Sequence, residues 1–337
     1  MPRIAEKIPF SVSELQKDFF TRGMRKYMPK ALGNPKKFQE QFGTQYYDWE
    51  IKGDFMYQNS EHAGFLMKTL GENIMSDEYT DRIIEEKDRI VLRMDELNEK
   101  VKSSDAEIGL FNKWCNTHSK VLPYMSLVVI IPELTSGMSK NLVETTLKPK
   151  GIKDYESLAN DVLLSAITIT DEPSETVKMS NALDKVLTSK DSQDFDKEVD
   201  EFLIRYGYRR DRDLSKKSFW ETREDFLKYV ENIEYSGRED VMKENEKKKQ
   251  DAMEFMERNF KDKGEMAMFK KLTETSYKFQ RDRENLNHSL IKSYFYARPF
   301  ILKIGQRLHE NNVMSDTREI FNLTQSQINK KWVDIHE

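Results

Sequence analysis

Apolar residues in this chain recur mostly at three- and four-residue intervals, the period of an amphipathic helix. The clearest run starts at Asp77, where Ile83, Ile84, Ile90, Val91, Met94 and Leu97 are separated by Glu and Lys; the spacing predicts a helix to about residue 100. Upstream, Leu15, Phe19 and Phe20 give an apolar side to a helix beginning near Glu14. Ser11 or Ser13 can cap it after an extended stretch around Ile8-Pro9. Phe65 to Gly71 starts a helix pair. Leu158, Val162, Leu163 and Ile167 suit one later helix, and Val177, Leu183 and Leu187 suit another.

The second half continues the same period. Val199, Phe202 and Leu203 line one side of a helix, and Gly207 is its expected stop because glycine tolerates a left-handed conformation. Helical patterning resumes over 224–233 and 240–261, then over 265–310, where Pro299 is expected to kink or divide the element. Ser315-Asp316 can cap a short helix, with residues 321–324 a loop or short strand before a last segment at 325–331. The apolar run Leu127 to Ile131, between Pro123 and Pro132, is ambiguous between strand and buried helix. The absence of a hairpin partner nearby favours a buried helix interrupted close to Pro132. The pattern therefore predicts an all-α, elongated multi-helix protein with two helical lobes, 1–195 and 196–337, or one continuous domain.

Composition narrows the function classes. Charged residues make up 34% and the hydrophobic set 37%, with mean hydropathy -0.78, a balance suited to many exposed helix faces. Fifty-five basic residues against 59 acidic ones give a formal net charge of -4, which argues against a nucleic-acid coat. A single cysteine, Cys115, excludes an intrachain disulfide framework and fits a reducing compartment. The N-terminus lacks a signal-peptide core and no apolar run reaches the roughly 18 residues that span a bilayer, so the expected location is cytoplasmic with no membrane partner.

Little complete chemistry is visible. The five histidines and the cysteine are scattered, with no HExxH or paired-cysteine spacing, and no G-x-S-x-G turn occurs, so no metal ligand and no catalytic residue is assigned. The aromatics Phe38, Phe42, Tyr46, Tyr47 and Trp49 read as core packing ahead of a ligand-stacking platform. Lys247-Lys248-Lys249 reads as a solvated helix face. The densest positive cluster, Arg205, Arg209, Arg210 and Arg212 with Lys216 and Lys217, can clamp a phosphate, although Asp211 and Asp213 partly neutralise it and a solvated loop is the simpler reading.

Two stretches resemble a known family. Phe202-Leu203-Ile204-Arg205-Tyr206-Gly207-Tyr208-Arg209, then Asp213-Leu214 and Trp220-Glu221, resembles the helical middle region of phosphoenolpyruvate synthase and rifampicin phosphotransferase-like enzymes, with tyrosine at the histidine of the family's Tyr-Gly-His-Arg-like turn. Residues 281–328, through Arg281, Arg298, Gly305, Arg307-Leu308 and Glu319-Ile320-Phe321-Asn322-Leu323-Thr324, are similar to its long helix and the segment leading toward the swivelling domain. The two matches cover fewer than a third of the residues.

The resemblance implies a helical substrate-binding or linker component that depends on separate ATP-grasp and phosphohistidine proteins. ATP and magnesium would bind only on a partner domain, with no cofactor on this chain, because no Gly-rich phosphate loop or Thr-Ser-His-like carrier surrounds any histidine here. It also implies a small-molecule substrate. A non-enzymatic binding or interaction scaffold that kept the helical fold is the alternative. Arg209, with Arg281 and Arg298 as companions, is the expected substrate- or partner-binding set, against ordinary ion pairs with Asp213 and Glu284.

Overall fold

The computed structural model describes residues 3–7, 13–52, 55–154, 157–159, 175–208, 215, 217–233, 238–260 and 262–335. Its class is all-α. The helices are α1 (Glu14–Ala31), α2 (Pro35–Phe42), α3 (Ser60–Asn73), α4 (Asp77–Ser103), α5 (Ile108–Leu147) and α6 (Glu175–Thr188). They continue with α7 (Phe195–Tyr206), α8 (Arg223–Glu231), α9 (Arg238–Asn259), α10 (Lys263–Glu310) and α11 (Gln325–Asp334). Three short strands, β1 (Arg3–Lys7), β2 (Trp49–Lys52) and β3 (Phe55–Gln58), form an antiparallel sheet in the order β1-β3-β2. In the β2–β3 register Lys52 lies opposite Phe55.

Capping chemistry fixes several helix starts. Ser13, rather than Ser11, caps α1: its hydroxyl accepts from the Gln16 amide while the Gln16 side chain returns to the Ser13 backbone. Ser76 caps α4 through the Tyr79 amide, and Thr324 forms a second capping box with Gln327 at α11. Residues 8–12, including the extended stretch around Pro9, lie outside the described residues, as does most of the helix expected around Val162.

The prolines behave differently from the sequence expectation. α5 runs unbroken through Pro123 and Pro132, so the interruption expected near Pro132 does not occur. Likewise α10 continues undivided through Pro299. A helical proline leaves the carbonyl four residues earlier without its usual donor, and two of these carbonyls meet a compensating neighbour. Pro29 in α1 frees the Arg25 carbonyl, which accepts the Tyr47 amide at 2.8 Å. Pro123 frees the Ser119 carbonyl, and α1 approaches it through Gly23, where a Cβ would lie only 2.3 Å from that oxygen. Tertiary contacts thus hold the helix where local preference would end it. Because α5 is continuous, it is long and apolar enough by length and composition to cross a membrane, contrary to the run-length expectation; half of its most apolar window is buried in the protein.

Two further expectations are corrected. Gly207 ends α7 but sits at φ -62°, ψ -14°, in the right-handed region, with its amide bonded to the Leu203 carbonyl. Residues 317–322 form a 3-10 helix, capped by Asp316, in place of a loop or strand at Phe321-Asn322.

The main core takes residues from both ends of the chain. α5 is its centre, packed against α1, α4 and α10. Phe19, Phe111, Trp114, Phe279 and Phe300 are fully buried there, each large side chain contributing about 1.5–3 kcal/mol through removal from water. Phe38, Phe42, Tyr47, His62 and Phe65 make an aromatic annex to it, with ring centroids 4.5–6.1 Å apart, so Phe38, Phe42 and Tyr47 pack in the core as expected, whereas Tyr46, expected with them, is 56% exposed and the side chain of Trp49 lies outside the described residues. A second, smaller core joins α6, α7 and α8 through Leu183, Val186, Val199, Phe202 and Phe226. A third ties the end of α5 to α9 and the start of α10 through Val143, Leu147, Met256 and Phe269.

Candidate functional site

The seam between α10 and the α6–α8 unit gathers the polar groups that the two cores exclude. Along α10, Glu284, Asn285, His288, Phe295 and Arg298 recur at three, four and seven residues, the spacing that places side chains on one helix face. Asn285 Oδ1 accepts the Glu175 amide at 3.1 Å, and the Thr176 hydroxyl donates to Glu284 Oε2 at 2.9 Å, fixing the start of α6. Further along, the Tyr208 hydroxyl is hydrogen-bonded to the imidazole of His288, and Glu175 Oε2 lies 3.5 Å from His288 Nε2. The rings of Tyr208 and His288 meet edge to face with centroids 5.1 Å apart.

Arg298 closes the other end of the seam. It is 6% exposed, and its Nη1 donates to Glu221 Oε1 at 2.6 Å. The second oxygen of Glu221 accepts from the Ser218 amide at 3.0 Å and its hydroxyl at 3.3 Å, so the carboxylate is held from two sides. Gly207 brings this pair alongside Tyr208, because its carbonyl accepts the Trp220 amide at 2.9 Å. Arg298 Nε is buried without a hydrogen-bond partner among the described residues. Burial of an arginine with a single carboxylate makes the pair sensitive to loss of either member.

Of the three arginines singled out from sequence, Arg298 thus lies buried in the seam. Arg281 lies on α10 and is half-buried, but 17 residues of helix separate it from Arg298, a rise of about 26 Å, so the two do not share one pocket. Glu284, its expected partner, pairs instead with Arg283 Nε at 3.3 Å. Arg209 and Asp213 lie outside the described residues.

Sequence reasoning missed His288, Tyr208 and Glu175, having treated the histidines as scattered. The available signal was positional: His288 falls seven residues after Arg281 and ten before Arg298. Electrostatics around Glu175 are distinctive. Burial works to raise its pKa, but the hydrogen bond from Lys178 and the charges of His288, Lys178 and Arg205 outweigh it and hold the carboxyl below its ordinary value. No group of three or more His, Cys, Asp or Glu side chains suited to a metal ion occurs among the described residues. The arrangement can orient a polar ligand through a phenol, an imidazole and a guanidinium.

The other buried histidine belongs to the core. His118 Nδ1 is 2.9 Å from the Trp114 carbonyl and Nε2 is 2.8 Å from Ser293 Oγ, which lies 2.5 Å from Asn98 Oδ1. Full burial pushes its pKa down to about 4, so at neutral pH it is an uncharged connector between α5, α10 and α4. Cys115 is buried beside it, and burial pushes its thiol pKa up, which keeps it unreactive.

Compared with known proteins, the chain matches no family model, and no curated protein matches it.

Proposed function

We propose that this chain is the helical substrate-binding or linker component of a phosphoenolpyruvate synthase-like phosphotransferase, acting with separate ATP-grasp and phosphohistidine proteins. The observation supporting this reading is that the two stretches carrying the resemblance, far apart in sequence, meet in the seam. Tyr208 of the first bonds to His288 of the second, and Glu221 of the first pairs with Arg298 of the second. Packing one motif against the other is what a shared pocket or partner-facing platform requires. In this reading the ATP and magnesium chemistry resides on the partner domain, and the present chain positions the phosphoryl acceptor.

The test is reconstitution. An ATP-grasp protein and a histidine-carrier protein should co-purify with the chain, and phosphoryl transfer by those partners to the small-molecule acceptor should require it. Transfer that proceeds unchanged when the chain is omitted would overturn the reading and leave a binding scaffold.

A further inference from the structure

We propose that His62 is a proton-operated latch: its neutral ring holds the segment that leads into β2 against α3, and its protonated ring releases it. The latch is independent of the phosphotransferase reading and of the seam on α10. The starting observation is the Asp48 backbone amide, which donates to His62 Nδ1 at 2.9 Å. A neutral imidazole keeps one nitrogen free to accept, whereas an imidazolium carries N–H on both. The bond therefore requires Nδ1 without hydrogen, and a proton arriving there sets two donors against each other.

The bond lies where it acts on a whole unit. Asp48 directly precedes β2, and its carbonyl accepts the amide of Asn59, which directly follows β3, at 2.9 Å. Asn59 is also the N-cap of α3: its side chain accepts the amides of Glu61 at 2.9 Å and His62 at 3.3 Å. Both ends of the β2–β3 unit are thus fastened at the first turn of α3. Tyr47 adds two further fastenings, its amide to the Arg25 carbonyl and its hydroxyl to Gln58 Oε1 at 2.9 Å. Backbone groups and the Gln58 amide do not titrate, and burial pushes the Tyr47 phenol up, away from neutral pH. Of these contacts, the one to His62 is the one that a proton can break between pH 5 and 7.

The surroundings let that proton arrive. His62 is 6% exposed, with Phe42 and Phe38 of α2 at ring-centroid distances of 4.5 and 4.8 Å and Tyr47 at 5.7 Å. Burial lowers its pKa, while the charges that act on it, Asp48 from the segment before β2 and Glu61 from α3, favour the protonated form. His118, by contrast, is fully enclosed, and its pKa is driven down to about 4. Because the folded pKa of His62 lies below the ordinary 6.5, the latch is closed above that value and opens as pH falls through the folded one. Opening uncovers the face of Phe38 on which Tyr47 stacks at 6.1 Å.

Amide exchange of the whole chain at about pH 7.5 and about pH 5, expressed as protection factors, tests the latch. Protection at Tyr47, Asp48 and Asn59 should fall about fivefold on acidification, the scale of one hydrogen bond. It should stay level in His62→Gln, whose side-chain oxygen accepts the amide at both pH values, and be low at both in His62→Phe, which keeps a ring without an acceptor. Nitrogen-15 spectra of the unaltered chain give a second readout: His62 Nδ1 should carry no hydrogen in the neutral ring, and the Asp48 amide resonance should titrate with the ring. An Nδ1-protonated neutral tautomer, or an Asp48 amide that does not follow the ring, overturns the proposal. So does an unchanged protection in the intact chain, or an equal acid-dependent loss in His62→Gln.

Discussion

Two interfaces on the same helix are built in opposite ways. Toward α1, α4 and α5, the helix α10 buries Phe279, Leu286, Tyr294 and Phe300 among apolar partners; there Ser293 is enclosed in a network with His118, Trp114 and Asn98, and Asp282 pairs with the buried Lys87 of α4 at 3.0 Å. Toward α6–α8 it presents Glu284, Asn285, His288 and Arg298 to discrete polar partners. An apolar interface is non-directional and degrades gradually, whereas a polar one depends on each pair being complete. The helix therefore carries a structural side and a side that one substitution, or one ligand, can alter.

The largest expected effect lies on the apolar side. Trp114→Ala removes a fully buried indole between α5 and α10 and should lower unfolding free energy by about 3–5 kcal/mol in a denaturant titration. Phe226→Ala, in the small core, should instead speed amide exchange in α6–α8 while leaving exchange in α5 nearly unchanged. Uniform acceleration across α5 and α6–α8 in both variants would mean that the two regions open as one unit, and the comparison would fail.

Next comes pH. His118 is held neutral by burial, with a pKa of about 4 against an ordinary 6.5, so the unfolded chain binds the extra proton in that interval. Stability should be complete above pH 6.5 and fall by about 3 kcal/mol as pH drops to 4. His118→Gln should flatten that slope even if it lowers stability at neutral pH. The seam titrates lower: the depressed pKa of Glu175 makes its contribution present above the ordinary carboxylate range and lost as pH falls through its folded value.

The Arg298–Glu221 pair probes the seam directly. Glu221→Ala leaves a buried guanidinium without its carboxylate and should cost about 2–3 kcal/mol, less than for a fully enclosed pair because Glu221 is a quarter exposed. Replacing both residues by methionine should recover most of that loss. Hydrogen exchange of α7 and α8 is the readout, and a double variant as unstable as the single one would show that the charge itself is not the cause.

The contrast also explains what the sequence disclosed. α4 and α10 announce themselves because one face is apolar at helical spacing and the other is charged, which is a local property. Continuity through Pro123 and Pro132 was not local: it depends on tertiary packing, including the approach of Gly23 to the Ser119 carbonyl, which no window on α5 contains. The sheet was hidden because its strands have only four or five residues. In the seam, Arg298 was legible through its family-like position, whereas His288 gains meaning only when Tyr208 and Glu175 arrive from other elements. The wide separation of Arg281 from Arg298 likewise becomes clear only once α10 is known to be undivided.

The smallest effect supplies the control for the seam. Arg223, at the start of α8, reaches Asp196 at 2.8 Å and Asp200 at 3.2 Å on α7, and the hydrogen bond to Asp196 is the leading reason its guanidinium pKa is raised. Its side chain is 41% exposed, so solvent screens most of the Coulomb attraction and Arg223→Ala should cost only about 0.5 kcal/mol. In roughly 1 M salt the Debye length falls to about 3 Å and that difference should vanish. The Glu221→Ala loss should survive the same salt, because the Arg298 side chain is only 7% exposed and mobile ions have little access to it. Equal salt sensitivity in the two variants would show that the Arg298 pair is as wet as the Arg223 pair, and the seam would then be an ordinary charged surface instead of a buried polar interface.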